Sequence, residues 1–245
     1  MCAVSVARWQ QKATALAQAW VRVTGAQVPN MNALHLGLAQ AEFETNCGEA
    51  FSHSFNWGAC DLRGPTAAEK AAYAAGALKP GYWLHRDGTF GPDRKPGDVG
   101  IFQGDSDPNT GKFVVWFAVF DDDVSGAAYY LRYGRKPCLN DPACTSDMFA
   151  EALYLAGYYG GTHAGARPVG KRTPPLNDGE RANVTAYAKA LDVRLSVIVP
   201  ALAGWTTPGF VAPPPPAPAP IDPATLLVQP WTLPQNDDDP PPDAA

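Results

Sequence analysis

Charge is sparse in this chain. Acidic and basic side chains make up 18% of its 245 residues, 24 Asp and Glu against 19 Lys and Arg. A net charge of −5 excludes the basic footprint of a nucleic-acid binder and offers no attraction to an anionic membrane surface. Long apolar runs are missing too. FVVWFAVF (residues 113–120) and the stretch from Leu195 to Val199 fall short of the roughly 18 residues a membrane span needs, so none is expected. The opening MCAVSVAR has no basic start followed by a long apolar stretch, so no signal peptide is expected, and a substrate outside a cell must be reached by another route. The four histidines, His35, His53, His85 and His163, form no HxxxH pair, and no CxxC occurs. A metallohydrolase or zinc ribbon is therefore not expected, and neither is a cofactor.

The cysteines number five. Cys47 and Cys60 bracket one loop, Cys138 and Cys144 another, and Cys2 is left over. Two local disulfides are expected in an oxidising compartment, and buried thiols in a reducing one. The apolar share of 46% is enough for a sizeable core, and the length suits one domain with an appendage.

Trp9, Ala13, Leu16, Trp20 and Val23 recur at helical spacing. Pro29-Asn30 then breaks the chain and caps a second expected helix, about residues 31 to 46, with Leu34, Leu38, Ala41 and Thr45 as its inner stripe and Gly48 to end it. Residues 52 to 112 are rich in Gly, Pro and Asp; they read as loops with a short helix from Thr66 to Leu78 and at most a small hairpin. The β-branched and aromatic run at Phe113 to Phe120 predicts a buried strand. Asp121-Asp122-Asp123 then caps a helix from Val124 to Arg132. Further helices are expected from Asp147 to Tyr159 and from Asn177 to Val199, the latter with Val184, Tyr187, Leu191, Leu195 and Ile198 inward and Pro200 as its stop.

Composition divides the chain into a domain of residues 1–205 and a tail of 206–245. The tail opens on Pro213 to Pro216, favours extended polyproline, and carries Leu226, Leu227, Trp231 and Leu233 before an acidic end. It is too polar and proline-rich to form its own core, and reads either as a disordered tail or as a docking peptide for a protein partner in a larger assembly.

Chemistry points to the end of the second helix. A glutamate there sits near the negative end of the helix dipole and is partly desolvated; both effects favour the neutral acid, as a general acid near neutral pH requires. Glycoside cleavage needs such an acid to protonate the leaving oxygen. Glu42 and Glu44 both qualify, because at about 100° per residue they flank the Leu34–Leu38–Ala41 stripe equally.

The segment Ala39-Gln40-Ala41-Glu42-Phe43-Glu44-Thr45-Asn46-Cys47-Gly48 resembles the AQAxLExGxG signature of the glucosaminidase-type, lysozyme-like peptidoglycan hydrolases, a group that includes flagellar, phage and autolysin enzymes. On that resemblance the acid maps to Glu44 and the terminal glycine to Gly48, while Cys47 departs from the family's aromatic. Ser54-Phe55-Asn56-Trp57-Gly58-Ala59 is similar to the family segment that lines the cleft beside the acid. The stretch from Lys112-Phe113 to Phe120-Asp121 is similar to its strand and helix start, and Gly157-Tyr158-Tyr159 to its GYATDP element, with Ala-Thr-Asp-Pro lost. The resemblance spans about residues 10 to 192.

It implies a mainly α, α+β lysozyme-like fold: a helical domain with a small irregular or β lobe flanking an active-site cleft. It also implies an endo-β-N-acetylglucosaminidase acting on the glycan strands of peptidoglycan, in a virion-associated or extracytoplasmic setting, with muramidase and lytic transglycosylase as related activities. Asn56, Trp57, Tyr158 and Tyr159 are then expected to bind substrate, Trp57 in the groove. Asp61, Asp98, Asp105 and Asp107 lie in the irregular lobe, and Asp105 and Asp107 are taken as second-carboxylate candidates because they directly precede the strand; turn chemistry is their other role. The same run departs from a calcium loop, with Thr110 and Trp116 where Gly and Glu belong. The alternatives are a structural or wall-binding tail component with a decayed site, and, more distantly, a cysteine amidase or peptidase using Cys47 with His53 or His163.

Overall fold

The computed structural model describes residues 6–25, 29–105, 113–132, 138–139, 141–160, 163–168 and 170–206. They form a helical body with a small antiparallel sheet beside it, an α+β arrangement.

Helix α1 (Val6–Thr24) buries Trp9, Ala13, Leu16 and Trp20, the predicted stripe, against α2 and α5. Helix α2 (Met31–Thr45) starts where the side chain of Asn30, in an extended conformation, accepts the Ala33 N–H at 2.8 Å. It is apolar almost all round: Leu34, Leu36, Leu38, Ala39 and Ala41 are all buried. A helix with no polar face is a core helix, and α2 is packed between α1 and α7. Its stop differs from the expected one. Asn46 turns left-handed (φ 52°) and caps it. Gly48 (φ 80°) serves close packing instead, because a Cβ there would lie 2.9 Å from Phe55 backbone and the Trp57 ring.

A four-residue turn, α3 (Ala50–His53), leads into the sheet lobe, which includes α4 (Ala67–Ala74). Thr66 and Glu69 close a capping box on α4. The body resumes with α5 (Asp123–Arg132), where Asp122 Oδ1 accepts the Ser125 N–H at 2.7 Å, as the acidic run predicted. Helix α6 (Ser146–Leu155) follows, then α7 (Asp178–Ala201), capped by Asn177 and Glu180 and ending one residue past Pro200. Among the described residues no helix is long and apolar enough to cross a membrane.

The lobe read as loops and a possible hairpin is a five-stranded antiparallel sheet, ordered β1-β5-β4-β2-β3. Its strands are β1 (Asp61–Arg63), β2 (Trp83–Leu84), β3 (Phe90–Gly91), β4 (Gly100–Asp105) and β5 (Phe113–Ala118). Strands β1, β2 and β3, of two or three residues, are too short to show alternation in sequence, and β4, though six residues long, carries two glycines and a terminal Asp that read as loop, which is why only β5 was legible. The β4–β5 ladder runs from Gly100–Ala118 to Asp105–Phe113. Successive residues point to opposite faces: Phe102 and Trp116 pack with Leu78 and Leu84, while Ile101 packs with Trp83 and Val119. The root of the hairpin is tied to the body, where Ala118 donates to Cys60 O at 3.0 Å and Phe120 to Ser54 O at 2.9 Å.

Cys138 and Cys144 are joined, Cα atoms 5.8 Å apart, closing the loop before α6. The other expected bridge is absent: Cys47 and Cys60 are buried thiols, and Cys47 Sγ turns back on α2 toward Leu38 O at 3.9 Å. The tail beyond Thr206, Cys2 and Asp107 lie outside the described residues.

Candidate active site around Glu44

Glu42 and Glu44 are two residues apart, so about 200° of helix rotation separates them. Glu42 faces cations, lying 3.6 Å from Arg8, which also donates to Glu49 Oε1 at 2.8 Å and to Asn46 Oδ1 at 2.8 Å. Lys12, buried behind them, donates to Asp123 Oδ1 at 2.6 Å and to Cys47 O at 3.0 Å. Burial works against the charge of Glu49, but Arg8 and Lys12 outweigh it and hold that carboxyl below its ordinary value.

Glu44 faces phenols. The Tyr187 hydroxyl, from α7, donates to Glu44 Oε1 at 2.5 Å. Gln40, one turn earlier on α2 and fully buried, has Nε2 3.4 Å from the same hydroxyl. Tyr130, from α5, donates to Gln40 Oε1 at 2.6 Å and lies 3.1 Å from Gly37 O. The Tyr159 ring stacks on Tyr187 at 4.1 Å and 9°, while Phe43 meets it edge-on at 5.1 Å and in turn carries the Arg194 guanidinium at 4.6 Å. Burial raises the phenols of Tyr130, Tyr158 and Tyr187 well above the ordinary tyrosine value, and the charge of Glu44 adds to each. Glu44 itself is half-buried and Phe43 is exposed, so this wall reaches solvent.

The loop after α2 is held in an unusual backbone. Asn46, Cys47, His53, Phe55 and Ala59 are all left-handed without being glycine. Such conformations cost about 1–3 kcal/mol each and persist only where the surroundings enforce them. Here Arg8 and Lys12 grip Asn46 and Cys47, and the Tyr158 hydroxyl donates to Gly58 O at 2.5 Å. A Cβ on Gly126 of α5 would strike Phe55 O, so that glycine is what lets the loop lie on the helix.

This loop corrects two expected contacts. Asn56 is fully buried, its side chain bonding the Cys60 carbonyl at 2.9 Å and the Cys60 N–H at 2.8 Å, so it shapes the loop and does not present itself to substrate. Trp57, expected in the groove, is fully buried, and its indole donates to Asp123 Oδ1 at 3.0 Å. The polar end of the indole found a carboxylate, which let the whole ring enter the core. Tyr158 and Tyr159 do lie in the wall beside Glu44, with their hydroxyls bonded to Gly58 O and Ala150 O.

No family model, curated protein or solved structure matches this chain.

Asp105 ends β4 at the outer tip of the hairpin, opposite Phe113, about five residues or 17 Å along the strand from the root at Gly100; its side chain lies outside the described residues, as does all of Asp107. Asp98 is committed elsewhere. It is buried, bonded to His85 Nδ1 at 2.7 Å and to the Lys95 N–H at 2.7 Å, and so locks the turn before β4. Burial raises the Cys47 thiol, which is the opposite of what a nucleophilic cysteine needs. Among the described residues no three of His, Cys, Asp and Glu converge as metal ligands would. An open depression of about 520 Å³ runs along α7 past His163, Arg181, Thr185 and Lys189, but Glu44 does not line it.

Sequence reasoning missed Tyr187, Gln40 and Tyr130 as a group. Tyr187 read as one more inward residue of α7. The available signal was its hydroxyl, because a buried phenol needs a partner.

Proposed function

We propose that this chain cleaves the glycan strands of bacterial peptidoglycan, with Glu44 as general acid. The observation that carries the reading is the contrast at the end of α2: Glu44 sits in a solvent-reaching aromatic wall and accepts from a phenol, while Glu42 faces arginine. Sugar faces stack on aromatic rings, and Phe43 and Tyr159 pack on the Tyr187 ring whose hydroxyl meets the carboxylate. The resemblance of residues 39–48 to the glucosaminidase-type signature selects the same glutamate. A buried helix ending at the acid, with a small antiparallel sheet beside it, fits a lysozyme-like plan. Strain gathered in the loop that follows is what functional sites accumulate. The Cys138–Cys144 disulfide suits an extracytoplasmic or virion-borne protein, with the proline-rich tail as its docking element.

In the reaction the glycosidic C1–O bond breaks, its electron pair goes to the leaving oxygen, and that oxygen takes the Glu44 proton; water then bonds to C1, either directly or by opening the oxazolinium ion formed by the sugar's own acetamido group, and the proton the water loses returns Glu44 to its acid form. The test is purified chain on isolated peptidoglycan, followed by turbidity and reducing ends. Glu44→Gln is expected to lose about 10³-fold in rate. Equal clearing by the variant removes Glu44 from the mechanism. Mass spectrometry of the ends separates glucosaminidase from muramidase, and from lytic transglycosylase by its 1,6-anhydro product.

The burial of Asn56 and Trp57 favours a second reading, a wall-binding or structural tail component. That version sediments with peptidoglycan and releases no ends.

A further inference from the structure

We infer that Tyr187 is the positioning residue for Glu44, a preorganised hydrogen-bond donor to the carboxylate that forms when the acid gives up its proton, with Gln40 and Tyr130 fixing the direction of that donation. The inference rests on Glu44 being the acid.

The direction follows from counting protons. A tyrosine hydroxyl has one proton to give. Tyr130 reaches two acceptors, Gln40 Oε1 at 2.6 Å and Gly37 O at 3.1 Å, so it is a donor there. The Gln40 amide turns its oxygen to Tyr130 and its nitrogen to Tyr187, 3.4 Å away. An amide nitrogen only donates. Tyr187 therefore accepts from Gln40, and its own single proton is directed at Glu44 Oε1. Three helices supply the chain: α5 gives Tyr130, α2 gives Gln40 and Glu44, and α7 gives Tyr187. Ring stacking on Tyr159 and the edge contact with Phe43 fix the Tyr187 ring in place.

The consequence is chemical. As the leaving oxygen takes the proton of Glu44, negative charge grows on that carboxylate. A donor already aimed at it stabilises the charge with no reorganisation at the moment of reaction. Tyr187 keeps its own proton throughout, since burial and the Glu44 charge make the phenolate unfavourable. No step passes a proton through the chain; the network sets orientation only.

The experiment uses the full chain. Tyr187→Phe keeps the ring and its stack while deleting the hydroxyl. Its kcat is expected to fall about 10²-fold with KM within about twofold, and the alkaline limb of its pH–rate profile, where the general acid loses its proton, moves to higher pH, because the donor that favours ionised Glu44 is gone. Gln40→Met keeps the volume and leaves Tyr130 its Gly37 acceptor. Its loss is expected to be smaller, and the double variant no slower than Tyr187→Phe alone, since both act through one hydrogen bond. The 13C NMR titration of Glu44, made on the same proteins without substrate, is expected to move upward in Tyr187→Phe. Unchanged kcat, pH profile and titration in folded Tyr187→Phe overturn the inference even if Glu44→Gln is dead. A wild type that clears no peptidoglycan, with a titration that still moves in Tyr187→Phe, overturns the glycan-cleaving reading and leaves the Tyr187–Glu44 coupling standing. Additive losses in the double variant remove Gln40 from the arrangement.

Discussion

The two flanks of one helix end carry the two carboxylates, and they are built from different materials. On the Glu42 flank the partners are cations: Arg8 and Lys12 meet Glu42, Glu49 and Asp123, and the Trp57 indole shares Asp123. On the Glu44 flank they are neutral donors and rings: Tyr187, Gln40, Tyr130 and Tyr159. A carboxylate held by a neighbouring cation is committed to its charge and to joining elements. A carboxylate that accepts from a phenol has an uncharged donor among its partners. The same helix thus fastens the strained loop on one side and presents Glu44 to a phenol in a solvent-reaching aromatic wall on the other.

Exchanging the roles breaks the comparison. The largest contrast is in activity: Glu44→Gln is expected to lose about 10³-fold in peptidoglycan cleavage, while Glu42→Gln stays within about twofold of wild type. Comparable losses in both variants end the distinction.

Next comes stability. Lys12 is buried, and replacing it by Met takes that cation from Asp123, which keeps the indole of Trp57. Removing one partner of a buried pair costs about 3 kcal/mol, seen as a lower midpoint in denaturant. A midpoint unchanged from wild type sinks the claim that this flank is the fastening.

A third carboxylate sharpens the rule by pH. Glu180 is held by two Arg167 hydrogen bonds of 2.8 and 2.6 Å, which outweigh its burial and, with the Asn177 N–H, bring its pKa down to about 2. A carboxyl depressed in the fold contributes stability above its unfolded pKa of about 4.3, and loses it as pH falls toward 2. Thermal melting from pH 5 to pH 2 is expected to fall more steeply in wild type than in an Arg167→Met variant. Parallel curves contradict it. The smallest effect is the stability of Glu42→Gln, expected within about 1 kcal/mol of wild type, because that pair is partly exposed.

Much of the fold was legible by local rules. The stripe of α1, the Asn30 cap, the acidic run that caps α5 and the aromatic run of β5 all declare themselves within a few residues. Local spacing offered Cys138–Cys144 and Cys47–Cys60 equally as bridges, and only the first is formed. The small strands were not legible, because two or three residues cannot display a period.

The site divides the same way. The sequence by itself put a glutamate at the end of an apolar helix and left Glu42 and Glu44 level, since each flanks the same stripe. The family resemblance picked Glu44, and only the tertiary structure showed how differently the two are surrounded. The decisive partners are Arg8, distant in sequence, and Tyr187, 143 residues further along the chain from Glu44. It also sank Trp57 and Asn56 into the core, against expectation, because Asp123 arrived from α5 to satisfy the indole and Cys60 satisfied the amide. Periodicity is a property of one element. The charge, burial and donors around a side chain come from whichever elements pack against it.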